Sequence, residues 1–257
     1  MIYAQELETA KKIALQAGES MLQYFEGNQQ IETKSDNTPV TIADKLINDM
    51  VIVELQKIFP HDDIIGEEKS TAEYGMGKKW FCDPIDGTKA YVWGVPTAMF
   101  SLGLVVDGRP VLGVAYDPFL KKLYEATVDG GSFCNGQKLV VSTAALAGST
   151  VAVTSTAKKM RTLAYLPKLE EAGAKLASFS GALYKGTLVA RGRFSGYLEA
   201  AVNAHDLAAL EVIVTEAGGK VTDFTGQTLI YSKPFKGAVV SNSVVHQEIL
   251  DILATSN

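Results

Sequence analysis

Apolar residues recur at helical spacing through residues 4–26, where Leu7, Ala10, Ala14, Ala17, Met21 and Phe25 share one face and Lys and Glu residues fill the other. The polar stretch 27–40 contains Gly27 and Pro39 and breaks that period, so a loop or a short irregular hairpin is expected there. Thr41 and Asp44 then stand at capping-box spacing, which predicts a second helix from Thr41 to about Phe59.

Beyond Asp62 the pattern becomes strand-like. Asp62–Gly66 and Lys79–Asp83 are short apolar runs, and Thr97–Val106, Pro110–Tyr116 and Lys122–Thr127 read as a meander with Asp107-Gly108 as its first turn. From about Ser149 strands (150–154, 175–179, 195–199) alternate with helices (158–172, 181–192, 205–218), followed by strands near 220–223 and 237–241 and a helix over 243–254. Such alternation predicts layered α/β packing. The chain shows no repeat and no linker, so one compact domain over 1–257 is expected, in two halves of about 1–145 and 146–257.

Composition narrows the classes. The 257 residues are 47% hydrophobic and 21% charged, enough for a substantial core without disulfides. Lys+Arg of 24 against Asp+Glu of 29 leaves a net charge of −5, and no basic run exceeds a pair, so no nucleic-acid partner is expected. No window approaches the roughly 18 apolar residues of a membrane span. The start of the chain carries Glu6 and Glu8 and lacks the make-up of a secretory leader, and Cys82 and Cys134 are too few for a disulfide framework or zinc cluster. A cytoplasmic setting with no membrane partner is expected.

The chemistry concentrates in Trp80-Phe81-Cys82-Asp83-Pro84-Ile85-Asp86-Gly87-Thr88. An apolar strand delivers carboxylates to a sheet rim, where ligands bind in α/β folds. Pro84 stiffens the turn so that Asp83 and Asp86 can converge, and Gly87-Thr88 offers backbone N–H groups suited to an anion. Converging carboxylates repel unless one is protonated or a cation lies between them. Oxygen donors of this kind suit Mg²⁺ or Mn²⁺ rather than zinc. Glu67 ends another short apolar run, and Asp206 heads an apolar helix. Taken singly, Asp206 reads as a helix cap, Glu67 and Glu68 as surface acids, Asp44 as a capping-box member and Cys82 as core. The set as a whole carries the weight.

That set resembles the inositol monophosphatase family of Mg²⁺-dependent, lithium-sensitive phosphomonoesterases. The likeness runs from Lys34-Ser35 and Asp44 through Gly66-Glu67-Glu68, Asp83–Thr88 and Phe133-Cys134-Asn135-Gly136. It continues to His205-Asp206 and Thr215-Glu216-Ala217-Gly218-Gly219. The resemblance implies an αβαβα fold of the inositol monophosphatase/fructose-1,6-bisphosphatase type, usually assembled as a homodimer. It implies that Glu67, Asp83 and the Ile85 carbonyl hold a first Mg²⁺, that Asp83, Asp86 and Asp206 hold a second, and that a weaker third shares Glu67. Thr88 and Asp44 resemble the pair that activates a water together with Glu67, and the N–H groups of Gly87 and Thr88 would hold the phosphate. The same likeness makes Asp86, Ala182 and Glu199 substrate-binding residues.

The resemblance implies a small phosphate monoester as substrate, and several readings of which one it is stay open. Glu199, seven residues before Asp206, matches a Glu that contacts inositol hydroxyls and favours inositol 1-phosphate. Lys89, where the family usually has a small or polar residue, resembles the histidinol-phosphate phosphatase branch and less closely the bisphosphate nucleotidases. A sugar phosphate is a further alternative, and a regulatory binding protein is the reading from another class. His205 stands beside a proposed ligand, but its side chain is expected to point to the other side of the helix start.

Overall fold

The computed structural model describes residues 2–35, 37–154 and 160–256. Helix α1 (Ala4–Phe25) buries the apolar stripe that its sequence lays out, Leu7, Ala10, Ala14, Ala17 and Met21 among it. The polar segment after it forms the antiparallel pair β1 (Glu32–Thr33) and β2 (Pro39–Val40). Helix α2 (Ile42–Ile58) starts at the expected cap: the Thr41 N–H donates to Asp44 Oδ2 at 2.7 Å and the Asp44 N–H to Thr41 Oγ1 at 3.4 Å.

Seven strands follow in one sheet, in spatial order of sequence: β3 (Asp63–Gly66), β4 (Lys78–Asp86), β5 (Met99–Val106), β6 (Arg109–Asp117), β7 (Lys122–Thr127), β8 (Gly131–Cys134) and β9 (Gln137–Lys138). Only β3 and β4 are parallel neighbours; the others form the expected meander. Asp107 (φ 48°) and Gly108 (φ 76°) make the left-handed turn that suits strand twist. Strands β8 and β9 extend the meander beyond the expected elements. They are four and two residues long, too short for a period of two to stand out. Strand β4 runs three residues past the expected Asp83, with a register shift between Asp83 and Asp86.

The remaining strands, β10 (Thr150–Val153), β11 (Lys175–Ser178), β12 (Gly196–Glu199), β13 (Lys220–Thr222) and β14 (Ala238–Ser241), form a second sheet in the order β11-β10-β12-β14-β13. Between β4 and β5 lies the short α3 (Thr88–Val92); the later helices are α4 (Tyr165–Glu171), α5 (Ala182–Ala190), α6 (Ala204–Thr215) and α7 (His246–Ala254). Residues 158–159 of the expected helix 158–172 lie outside the described residues. Its regular part begins at Tyr165, which puts Pro167 in the first turn, where its missing N–H is not needed.

The layers are α1 and α2, the seven-stranded sheet, α5 and α6, the five-stranded sheet, then α4 and α7, giving the αβαβα order. The central helix α6 lies unusually close to the large sheet. Gly103 and Gly113 are paired across β5 and β6, and a Cβ on Gly113 would fall 2.2 Å from the Ala209 carbonyl oxygen. Small residues on both sides thus fix where α6, and Asp206 in its first turn, sit against β4 and its carboxylates.

Candidate active site

Four elements deliver acids to one place. Strand β4 contributes Asp83 and Asp86, the chain after β3 contributes Glu67, α2 contributes Asp44 and α6 contributes Asp206. Ligand oxygens of Asp83, Asp86 and Asp206 lie within 4.8 Å of one another, and Glu67, Asp83 and His205 form a second such group. Asp83, 2% exposed, belongs to both.

Local hydrogen bonds hold each acid in place. Asp83 Oδ1 accepts the Ile85 N–H at 3.0 Å. Both Asp86 oxygens accept from the first turn of α5, Ala182 N–H at 2.9 Å and Leu183 N–H at 2.7 Å. Asp206 Oδ2 accepts the Asn203 N–H at 2.6 Å, so it caps α6 as the plainer reading expected while facing the other acids. Glu67 is ion-paired to Lys34 Nζ at 2.8 Å. Asp44 is fully buried; its Oδ2 accepts from Thr41 Oγ1 at 2.6 Å and its Oδ1 faces the Thr88 hydroxyl at 3.5 Å. That hydroxyl also donates to the Ile85 carbonyl at 3.0 Å. Gly87, at φ 89°, turns the chain into α3 against Gly181, only 3.2 Å from where its own Cβ would stand.

Crowding perturbs the carboxyls. Burial, then the charge of Glu67, holds the Asp83 carboxyl well above the usual range. Burial and Asp206 push Asp86 up to about 7, and burial pushes Asp44 up to about 7 against the bonds from Thr41. Without a cation these groups keep protons that free carboxyls would lose. A set of converging oxygen donors with one imidazole fits a divalent cation.

Glu67, Asp86 and Asp206 line a cleft of about 240 Å³ together with Ala182, Lys185, Tyr197 and Glu199. Thus Ala182 and Glu199 meet the same space as Glu67, Asp86, Gly87, Thr88 and Asp206. Lys89 is solvent-exposed at its edge. Cys82 is buried in the outer core, as expected from strand alternation.

Two residues depart from or add to the sequence reading. His205 was expected to turn away; it faces Glu67 and Asp83 instead, from the first turn of α6, which packs against β4, β5 and β6. Lys185 was not singled out. The available signal was a lone charge in the otherwise uncharged helix Ala182–Ala190.

A family model described as the inositol monophosphatase family matches residues 3–256. The chain belongs to this family. A histidinol-phosphatase of Chlorobaculum parvum is 33% identical over 248 residues, covering 95% of each chain. A fructose-1,6-bisphosphatase/inositol-1-monophosphatase of Thermotoga maritima is 30% identical over 249 residues, covering 96% of this chain and 95% of the relative. Among solved structures, an inositol monophosphatase of Thermotoga maritima superposes with a TM-score of 0.89 at 27% identity over 98% of each chain. The protein is therefore an inositol monophosphatase family enzyme and a phosphoric monoester hydrolase. Relatives with different substrates in their names stand at nearly the same identity, so likeness alone does not fix the substrate.

Proposed function

We propose that this enzyme hydrolyses the phosphate monoester of a small, hydroxyl-rich alcohol such as inositol 1-phosphate, by direct attack of water. The observation that carries this reading is one cleft lined by Asp86, Asp206, Glu67 and Glu199, with buried Asp83 grouped with Asp86 and Asp206. Glu67, Asp83, the Ile85 carbonyl, Asp86 and Asp206 would hold Mg²⁺, and His205 adds a nitrogen that supports Mn²⁺ as a second choice. When bound, such cations lower the pKa of a water and neutralise charge that develops on the phosphoryl oxygens.

The chain's own residues do the positioning. The Thr88 hydroxyl, poised between the Ile85 carbonyl and Asp44, orients the attacking water, and buried Asp44 with its raised pKa accepts the proton passed through it. The N–H groups of Gly87 and Thr88, at the start of α3, orient the phosphate. Glu199 accepts hydroxyls of the leaving alcohol, with Ala182 leaving room beside it. No side chain needs to be phosphorylated.

Histidinol phosphate is the second reading, favoured by the Chlorobaculum parvum relative and by Lys89. A cationic alcohol would call for acids beyond those that face the metal, and among the described residues of the cleft Glu199 is the sole one. Family membership also supports a homodimer, lithium inhibition and a cytoplasmic setting as parts of this reading. Among the described residues no helix is long and apolar enough to cross a membrane.

The test is phosphate release with Mg²⁺ from inositol 1-phosphate, histidinol phosphate, 3′-phosphoadenosine 5′-phosphate and fructose 1,6-bisphosphate. A kcat/KM preference of about 100-fold for inositol 1-phosphate, about 2.7 kcal/mol, is expected. An equal preference for another ester rejects the polyol assignment.

A further inference from the structure

Helix α5 carries one charged residue, Lys185, and buries it: 2% of the residue is exposed. An ammonium group removed from water costs several kcal/mol unless it is paired. Lys185 Nζ donates to Glu199 Oε2 at 3.3 Å and to the Val153 carbonyl at 3.3 Å, and it lies 4.5 Å from the centre of the Tyr197 ring. These partners sit on β10 and β12, so the side chain reaches from α5 into the five-stranded sheet. Lys185, Tyr197 and Glu199 all line the cleft that also holds Asp86 and Asp206.

We propose that Lys185 is a specificity-determining residue that selects for the charge of the alcohol: by neutralising Glu199 it makes this wall accept uncharged hydroxyl groups and reject ammonium groups. Without Lys185, Glu199 would be a nearly buried, unpaired carboxylate, and it would draw a cationic substituent into the cleft. With Lys185 the pair is formally neutral. Glu199 Oε2 is taken, while Oε1 has no hydrogen bond among the described residues and stays open to a hydroxyl donor. An ammonium group brought to Oε1 would face the fixed positive charge of Lys185 where little water screens it. A second phosphate gains little here, because Lys185 is already committed to Glu199 and the Val153 carbonyl. The substrate class is therefore the monophosphate of an uncharged polyol. This rests on the reading of Glu199 as the wall that meets the alcohol.

The experiment compares kcat/KM for inositol 1-phosphate and histidinol phosphate in the wild type, Lys185→Met and Lys185→Gln, with Mg²⁺ saturating. Thermal unfolding identifies the variant that folds; Lys185→Gln keeps a donor for Glu199 and Val153 where Lys185→Met leaves a buried carboxylate bare. The wild type is expected to favour inositol 1-phosphate. Loss of the charge is expected to shift the ratio toward histidinol phosphate at least tenfold, about 1.4 kcal/mol, mainly through KM for the cationic ester. A merely structural lysine would lower both values together and leave the ratio unchanged, which overturns the proposal while the polyol reading stands. A wild type that prefers histidinol phosphate overturns both.

Discussion

The Asp86 carboxylate accepts the Leu183 N–H at 2.7 Å across 97 residues of sequence. With the Ala182 bond it satisfies two donors that the start of α5 would otherwise leave orphaned, and each oxygen keeps a lone pair for a cation. One side chain therefore faces the other metal-binding acids and anchors the helix that supplies Ala182 and Lys185 to the same cleft.

Asp86→Asn keeps the size and removes the charge. We expect kcat/KM to fall at least about 10³-fold, about 4 kcal/mol, and the rise in Tm on adding Mg²⁺ to shrink. Steady-state phosphate release and thermal unfolding with and without Mg²⁺ check this; near-wild-type turnover removes Asp86 from the metal-facing set.

Metal removal should reverse the usual response of stability to pH. Asp44 and Asp86 have folded-state pKa values of about 7, above the 3.8 of a free carboxyl. Their contribution is present below pH 4 and is lost as pH rises towards 7, because the unfolded chain sheds the protons first. In EDTA the urea midpoint should fall from pH 5 to pH 8. Saturating Mg²⁺ should flatten most of that slope. Glu211, away from the metal, whose burial also pushes its carboxyl up to about 7 against the bond from Tyr231, contributes to what remains, and Glu211→Gln should reduce it.

Thr88→Ser should keep most activity, whereas the near-isosteric Thr88→Val should lose about 10²- to 10⁴-fold in kcat. The hydroxyl bridges Asp44 and the Ile85 carbonyl, and a methyl group can orient no water. Equal rates for the two variants would remove Thr88 from proton transfer.

Gly113→Ala is a test of the fold rather than of the chemistry. Its new methyl would meet the Ala209 carbonyl oxygen 2.2 Å away, and backbone rather than a flexible side chain would have to move. A loss of about 1–3 kcal/mol in urea unfolding is expected, with substrate ratios unchanged.

The His205 imidazole faces Glu67 and Asp83 from the first turn of α6, and nitrogen donors favour Mn²⁺ over Mg²⁺. His205→Ala should weaken Mn²⁺ binding, read by titration calorimetry, about tenfold while changing Mg²⁺ binding much less. Equal losses for both ions would reject a ligand role.

Much of this architecture is written locally. The stripe on α1, the Thr41–Asp44 box and the Asp107-Gly108 turn each depend on neighbours within a few residues, and the structure has all of them. The carboxylates of the Asp83–Thr88 stretch converge with Asp206 because strand ends and helix starts aim side chains predictably. What escaped depends on distant partners. His205 turns inward because of how α6 docks on the sheet, which no neighbouring residue states. Lys185 gains its role only when Glu199 and Val153 arrive from another sheet, and β8 and β9 pair at a sheet edge through segments too short to carry a pattern.

The contact of Gly103 and Gly113 with α6 divides the enzyme mechanically. Asp83, Asp86 and Asp206 are mounted on β4 and on a helix pressed against the neighbouring strands, which ties their positions to one another. Glu199 and the carbonyl that steadies Lys185 belong to the opposite sheet. Changes to that second sheet can therefore re-tune which alcohol is held while the machinery that breaks the phosphate ester keeps its alignment, and one scaffold can be refitted for new esters by altering only one of its walls.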